Sequence, residues 1–305
     1  YFMVELTVKI VGAILIGMIY QYYYGSGDTS LYFEHAKIIN SAFSESPGKW
    51  LNLILHLPPW YDGEYSHYIS QMEWYETTAE YTVASITALL GTLNMTSYLP
   101  IAVMFASISY IGLWALFKTF ATKYPAYTRY IAWSCLFIPS TVMWGSGLFK
   151  DTICMFGLGL LTHGAFQMLM QKNYAPKILA GTVLGFWLVA KIKLYILLAF
   201  VPALSLWILF TFSHRLRPGF TRIFIKFAVI AGCLGGFVIF SQKFAAELGK
   251  YSLENVAKTS YTTGTAIAQL SGDQGSTYSL GDMDPSIGSM LKKFPLAVNV
   301  TLFRP

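Results

Sequence analysis

Asp28 stands in Gly25-Ser26-Gly27-Asp28-Thr29, directly after the first apolar run of the chain. Lys150-Asp151 follows Pro139–Phe149 at the junction of two later apolar runs. Lys191 and Lys193 sit at the junction of the fifth and sixth apolar runs, and Arg304 lies inside the last apolar stretch. Ionisable side chains at membrane depth are rare and costly, so these are the places to look for chemistry. Lysine and arginine hold phosphate oxygens and stabilise a phosphate as it becomes a leaving group. A carboxylate on a glycine-flanked turn suits a general base for an incoming hydroxyl. Together they fit a direct displacement at a sugar carbon, with an anionic lipid headgroup leaving and no covalent enzyme intermediate. Gly145 and Gly147 permit close backbone approach beside Lys150.

Each of these residues has a plainer reading. Asp28 suits a cap for a helix beginning at Ser30 or Leu31. Asp151 would be favoured by a helix dipole whatever its chemistry. Lys191, Lys193 and Arg304 can snorkel to headgroups. Trp60 and Tyr61 fit either stacking on a sugar ring or residence at the membrane surface. His35, His56 and His67 have no metal-ligand spacing, and His163, in mid-run, reads as a helix–helix hydrogen-bond partner. Cys135, Cys154 and Cys233 all lie in apolar runs and offer neither a disulfide framework nor a metal spacing.

The elements that must position these side chains follow from composition. Only 12% of the 305 residues are charged and 55% are hydrophobic, against about a quarter charged in a soluble domain. Disorder, a secreted disulfide scaffold and most soluble enzymes are excluded. Runs approaching the ~20 residues needed to cross a bilayer predict spans near 3–22, 97–117, 130–146, 149–170, 178–190, 194–212 and 223–241, with another beginning near 295. The stretch 82–93 is shorter and reads as an interfacial or re-entrant helix. The expected fold is a single all-α transmembrane bundle, the chain being read as the ordered part of a longer protein.

Charge placement sets the expected topology. With 82–93 not crossing, Lys118, Lys123, Arg129, Lys172, Lys177, Arg215, Arg217, Arg222 and Lys226 share one side without a single acid. By the positive-inside rule that side is cytoplasmic. The segment 23–96 then lies outside. It carries Asp28, Glu34, Glu45, Asp62, Glu64, Glu73, Glu76 and Glu80 against Lys37 and Lys49, and it has helical patterning at 30–43 and 48–57 broken by Pro47 and Pro58-Pro59. A second outer loop covers 242–294. A crossing at 82–93 would instead put the N-terminus outside.

Three stretches carry a resemblance: Gly27-Asp28-Thr29-x-x-Tyr32-Phe33, Pro139-Ser140-x-x-x-Trp144-x-Ser146-Gly147-x-x-Lys150-Asp151, and Leu302-Phe303-Arg304-Pro305. With the long acidic first outer loop and its amphipathic juxtamembrane helices, the chain resembles the C-type membrane glycosyltransferases. Among these it is similar to a group of membrane proteins familiar from Bacteroidetes. The resemblance implies transfer of a sugar from a polyprenyl-phosphate donor at the non-cytoplasmic face of a bacterial inner membrane. It implies Asp28 as catalytic base, and Lys150, Asp151, Lys191, Lys193 and Arg304 as contacts to donor phosphate or sugar. Glu34, Trp60 and Tyr61 are the candidate acceptor contacts. Asp28 is followed by Thr29 where better-known members carry an Asp-Glu pair, and the next acid, Glu34, does not share its helical face. The expected partners are membrane lipids, the lipid-linked sugar and proteins of an envelope complex, with no nucleic acid. No cofactor is assigned, and a divalent metal is left open. The alternative is a non-catalytic membrane subunit, or pseudo-enzyme, of such a complex.

Overall fold

Phe2–Tyr24, Tyr98–Lys123, Lys150–Met170 and Leu194–Phe212 are helical stretches long and apolar enough to cross a bilayer, and the chain is accordingly an integral membrane protein. The computed structural model describes residues 1–212, a few positions between 227 and 239, and 256–271, 284 and 286–303. The described residues are all-α, without a strand. Two compact units divide the chain, 1–197 and 198–305, where the apolar runs alone read as one domain.

The first unit contains every described candidate side chain. Its spanning helices are α1 (Phe2–Ile19), α6 (Tyr98–Lys123) and α9 (Lys150–Met170), joined by the shorter α10 (Pro176–Ile192). Glycines let them approach closely: a Cβ on Gly112 of α6 would lie 2.4 Å from the Phe156 Cα, and one on Gly159 of α9 would lie 2.0 Å from the Gly112 carbonyl oxygen. On its other side α9 meets α10 through Gly157 and Gly185. Small residues of this kind are what lets backbones touch where lipid supplies no hydrophobic drive for association. His163 does bridge two spans, its Nδ1 lying 2.9 Å from the Thr119 hydroxyl of α6.

Between α1 and α6 the acidic segment is a packed helical layer: α2 (Asp28–Glu45), α3 (Pro47–Ile54), α4 (Ser66–Ile69) and α5 (Thr78–Gly91). Helix α2 buries Tyr32, His35, Ala36, Ile39 and Ala42, the three-and-four spacing of one apolar stripe. Pro47 starts α3, as its fixed φ and missing N–H favour. Helix α5 packs that stripe with Tyr81, Ala84 and Ala88. At 14 residues, α5 is about 21 Å long, short of a roughly 30 Å hydrocarbon core. Asn40 ties the layer together, donating to the Ala88 carbonyl and accepting from the Trp50 indole at 2.9 Å each.

The run 130–146, expected as one span, is two helices, α7 (Thr128–Leu136) and α8 (Pro139–Trp144). Proline forces the residue before it out of the helical region, and Ile138 is extended with ψ 126°. The second unit contains most of α11 (Leu194–Phe212), with α12 (Val256–Ser271) and α13 (Ile287–Phe303). Helix α12 falls within the segment read as the second outer loop, and α13 begins ahead of the apolar run near 295. The expected span 223–241 falls largely outside the described residues, and Arg304 wholly so.

Candidate functional site

Asp28 is the first residue of α2, with Gly27 as its cap residue and no side-chain capping bond. The plainer reading of Asp28 as a cap therefore does not account for its carboxylate, which is exposed and has neither ion-pair nor hydrogen-bond partner among the described residues. Gly27 sits at φ +149°, ψ −177°, backbone that is essentially restricted to glycine. A Cβ there would also lie 2.6 Å from the Tyr20 ring. Gly27→Ala is thus expected to cost about 1–3 kcal/mol and to displace Asp28. Thermal unfolding of the purified variant measures this, and an unchanged midpoint would dismiss the strain.

Rings connect this turn to the Lys150-Asp151 turn. Tyr20 packs on Gly27 and lies 5.6 Å from Phe149, which in turn lies 5.6 Å from Trp144. The backbone 144–149 is held from three sides. Lys9 donates to the Gly145 carbonyl at 2.9 Å, the Thr152 hydroxyl donates to the Gly147 carbonyl at 2.7 Å, and Ser146 donates to the Val142 carbonyl. A Cβ on Gly145 would meet the Lys9 ammonium, the Thr141 carbonyl and the Met155 sulfur, so only glycine fits. This turn launches α9 with Lys150 and Asp151 in its first turn.

Both lysines of the site are ion-paired. Lys150 reaches Glu80 of α5 at 2.7 Å, and Lys193, just past α10, reaches Asp151 at 2.6 Å. Burial works to raise the Glu80 carboxyl, but hydrogen bonds from Lys150 and its own backbone, with the Lys150 charge, hold it below the ordinary carboxylate range. Burial likewise works to lower Lys193, and its hydrogen bond and attraction to Asp151 outweigh it, leaving the ammonium above its ordinary value. Tyr32 is buried in α2. Its phenol is raised first by burial and then by the charges of Asp28, Glu80 and Asp151. The Tyr32 hydroxyl is buried without a hydrogen-bond partner among the described residues, within electrostatic reach of all three carboxylates.

Asp151 and Lys193 are brought together, with Lys150 beside Asp151 in the first turn of α9, and the Asp28 turn is joined to them through the Tyr20–Phe149 ring contact. Lys191 is exposed, and its charge acts on His56 in the first segment. Glu34 is engaged by Lys37 on the outer face of α2, 2.8 Å away. Trp60 and Tyr61 are exposed on the turn after Pro58-Pro59. No group of three or more His, Cys, Asp and Glu side chains converges as a metal site among the described residues.

Glu80 and Tyr32 belong to the site although reading charge by position left them out. Glu5 and Lys9 were missed as well. Both are fully buried in α1, and Lys9 donates to the Ser109 hydroxyl and to the Thr141 and Gly145 carbonyls. Their signal was present, an acid and a base four apart within an apolar run. The chain matches no family model, curated protein or solved structure with which it was compared.

Proposed function

We propose that this protein transfers a sugar from a polyprenyl-phosphate donor to an acceptor hydroxyl at the non-cytoplasmic face of a bacterial inner membrane, with its N-terminus cytoplasmic and its acidic segment periplasmic. The observation that carries the reading is the exposed Asp28 carboxylate, without a partner among the described residues, on a turn whose Tyr20 packs against Phe149 directly before Lys150 and Asp151, with Lys193 paired to Asp151. The resemblance to the C-type membrane glycosyltransferases supports it. In this reading the acceptor hydroxyl gives its proton to Asp28 as its oxygen bonds to the sugar carbon, and the carbon–oxygen bond to phosphate breaks. Lys150 and Lys193 exchange part of their contact with Glu80 and Asp151 for phosphate oxygens, and Lys191 adds outer positive charge. A positioned base contributes about 100- to 10,000-fold. Membranes carrying Asp28→Asn are accordingly expected to lose at least ~100-fold in transfer from a labelled lipid-linked sugar. Undiminished transfer would remove Asp28 as base.

A second reading, a non-catalytic subunit of an envelope complex, draws on the same ion pairs, since lysines already satisfied by carboxylates hold a fold together without substrate. It predicts a partner copurifying at fixed stoichiometry and no transfer by either protein form.

A further inference from the structure

A cavity of about 390 Å³ opens between α8 and the start of α9, lined by Ser140, Thr141, Trp144, Asp151 and Met155. Its size is at the small end of ligand pockets, which run to roughly 300–1,000 Å³. Its chemistry is specific. Asp151 turns one carboxylate oxygen to Lys193, and the other has no partner among the described residues. The side-chain hydroxyls of Ser140 and Thr141 make no hydrogen bond among the described residues. Other helical threonines, Thr87, Thr119 and Thr162 among them, donate to the carbonyl four residues back. Trp144 is 44% exposed and presents an indole to the space, with Met155 adding a second apolar wall.

Hydroxyls, a free carboxylate oxygen and an aromatic face exclude most occupants. A phosphate would meet the free Asp151 oxygen, and the lining holds no cation of its own to bind it. A lipid tail would desolvate that carboxylate. A metal ion would find a single carboxylate, already paired with Lys193. A neutral polyhydroxylated ring satisfies every wall, its hydroxyls bonding Asp151, Ser140 and Thr141 and its C–H face lying on Trp144.

We propose that this cavity is a carbohydrate subsite, taking an uncharged sugar ring beside the lysines that hold phosphate. The identity of that ring as the donor's sugar rests on the transferase reading; the subsite itself does not. Asp151 then serves as a sugar contact and leaves the phosphate to Lys150 and Lys193. Lys9 underlies the wall, since its ammonium also holds the Thr141 carbonyl at 2.9 Å.

The test uses the full chain in a detergent without a sugar headgroup and a panel of methyl hexopyranosides, read by saturation-transfer NMR. At least one glycoside is expected to bind wild type. Binding should weaken about ten-fold in Trp144→Ala and in the near-isosteric Thr141→Val, the scale of one lost polar or stacking contact. Trp187→Ala, which removes an exposed aromatic of α10, should leave it unchanged. No binding to wild type, or equal binding in Thr141→Val and Trp144→Ala, would overturn the subsite. Parallel transfer assays separate the two ideas. Glycoside binding without any transfer keeps the subsite and defeats the transferase reading. Transfer with an unaltered donor KM in both variants keeps the transferase reading and overturns the assignment of the donor's sugar to this subsite.

Discussion

Gly159→Ala is expected to unfold or deplete the protein, although it adds one methyl group. The new Cβ would lie 2.0 Å from the Gly112 carbonyl oxygen and 2.4 Å from its carbonyl carbon. These are backbone atoms in the middle of α6, so no side chain can rotate to make room. Helices α6 and α9 must separate, and every contact along their crossing loosens with them. Overpacking costs typically about 1–3 kcal/mol, and a rigid backbone collision belongs at the top of that range. The matched control is Gly181→Ala in α10, where a Cβ meets nothing within 4 Å. There the loss of backbone freedom in the unfolded chain favours alanine by about 0.4–1 kcal/mol. Thermal unfolding of the two variants in one detergent should move the midpoints in opposite directions. A Gly159→Ala midpoint at or above wild type would mean that the α6–α9 approach is wrong.

The same helices show what the sequence could and could not disclose. Apolar runs located α1, α6, α9 and α11 because a span announces itself by length and hydropathy alone. Pro139 ends any continuous helix through 130–146, and that break was available from the proline's demands on Ile138. Lys150 and Asp151 stood out as charges at a junction of runs. Glu80 did not, because it was one of eight acids in a polar segment and its pairing with Lys150 joins residues 70 apart. Nothing local distinguishes it from Glu73 or Glu76. Tyr32 comes under the charges of Glu80 and Asp151 only when α2, α5 and α9 pack. Lys191 and Lys193, two residues apart, looked equivalent, yet Asp151 is paired with Lys193 while Lys191 faces outward. Position along the chain ranks charges by depth; it does not say which of them meet.

Lys9→Met is expected to have the second large effect, and it reaches the site from the far end of the hydrogen-bond chain. The ammonium is fully buried and is held at 2.9 Å by the Thr141 and Gly145 carbonyls and at 3.4 Å by the Ser109 hydroxyl. Methionine fills much of the space and supplies no donor. The Thr141 carbonyl keeps the Gly145 N–H at 3.1 Å, whereas the Gly145 carbonyl loses its donor, and a buried acceptor left unmade costs about 1–3 kcal/mol. For a unit of this size a loss of about 2 kcal/mol lowers the midpoint by about 4–8 °C. Glu5, one turn away, has both carboxyl oxygens buried without a hydrogen-bond partner, and its charge and that of Lys9 act on each other. Removing Lys9 alone leaves an acid in the apolar interior without the one cation that acts on it among the described residues. Glu5→Gln combined with Lys9→Met should therefore be less damaging than the sum of the two changes, by about 0.5–3 kcal/mol, the range for coupled neighbours. Strict additivity would mean that Glu5 and Lys9 act separately. Because Lys9 also fixes Gly145, its loss should loosen the turn that aims Lys150 and Asp151. Glycoside binding to the cavity should then weaken in Lys9→Met even at temperatures where the fold persists. A variant that unfolds earlier yet binds glycoside normally when folded would confine Lys9 to holding the helices together.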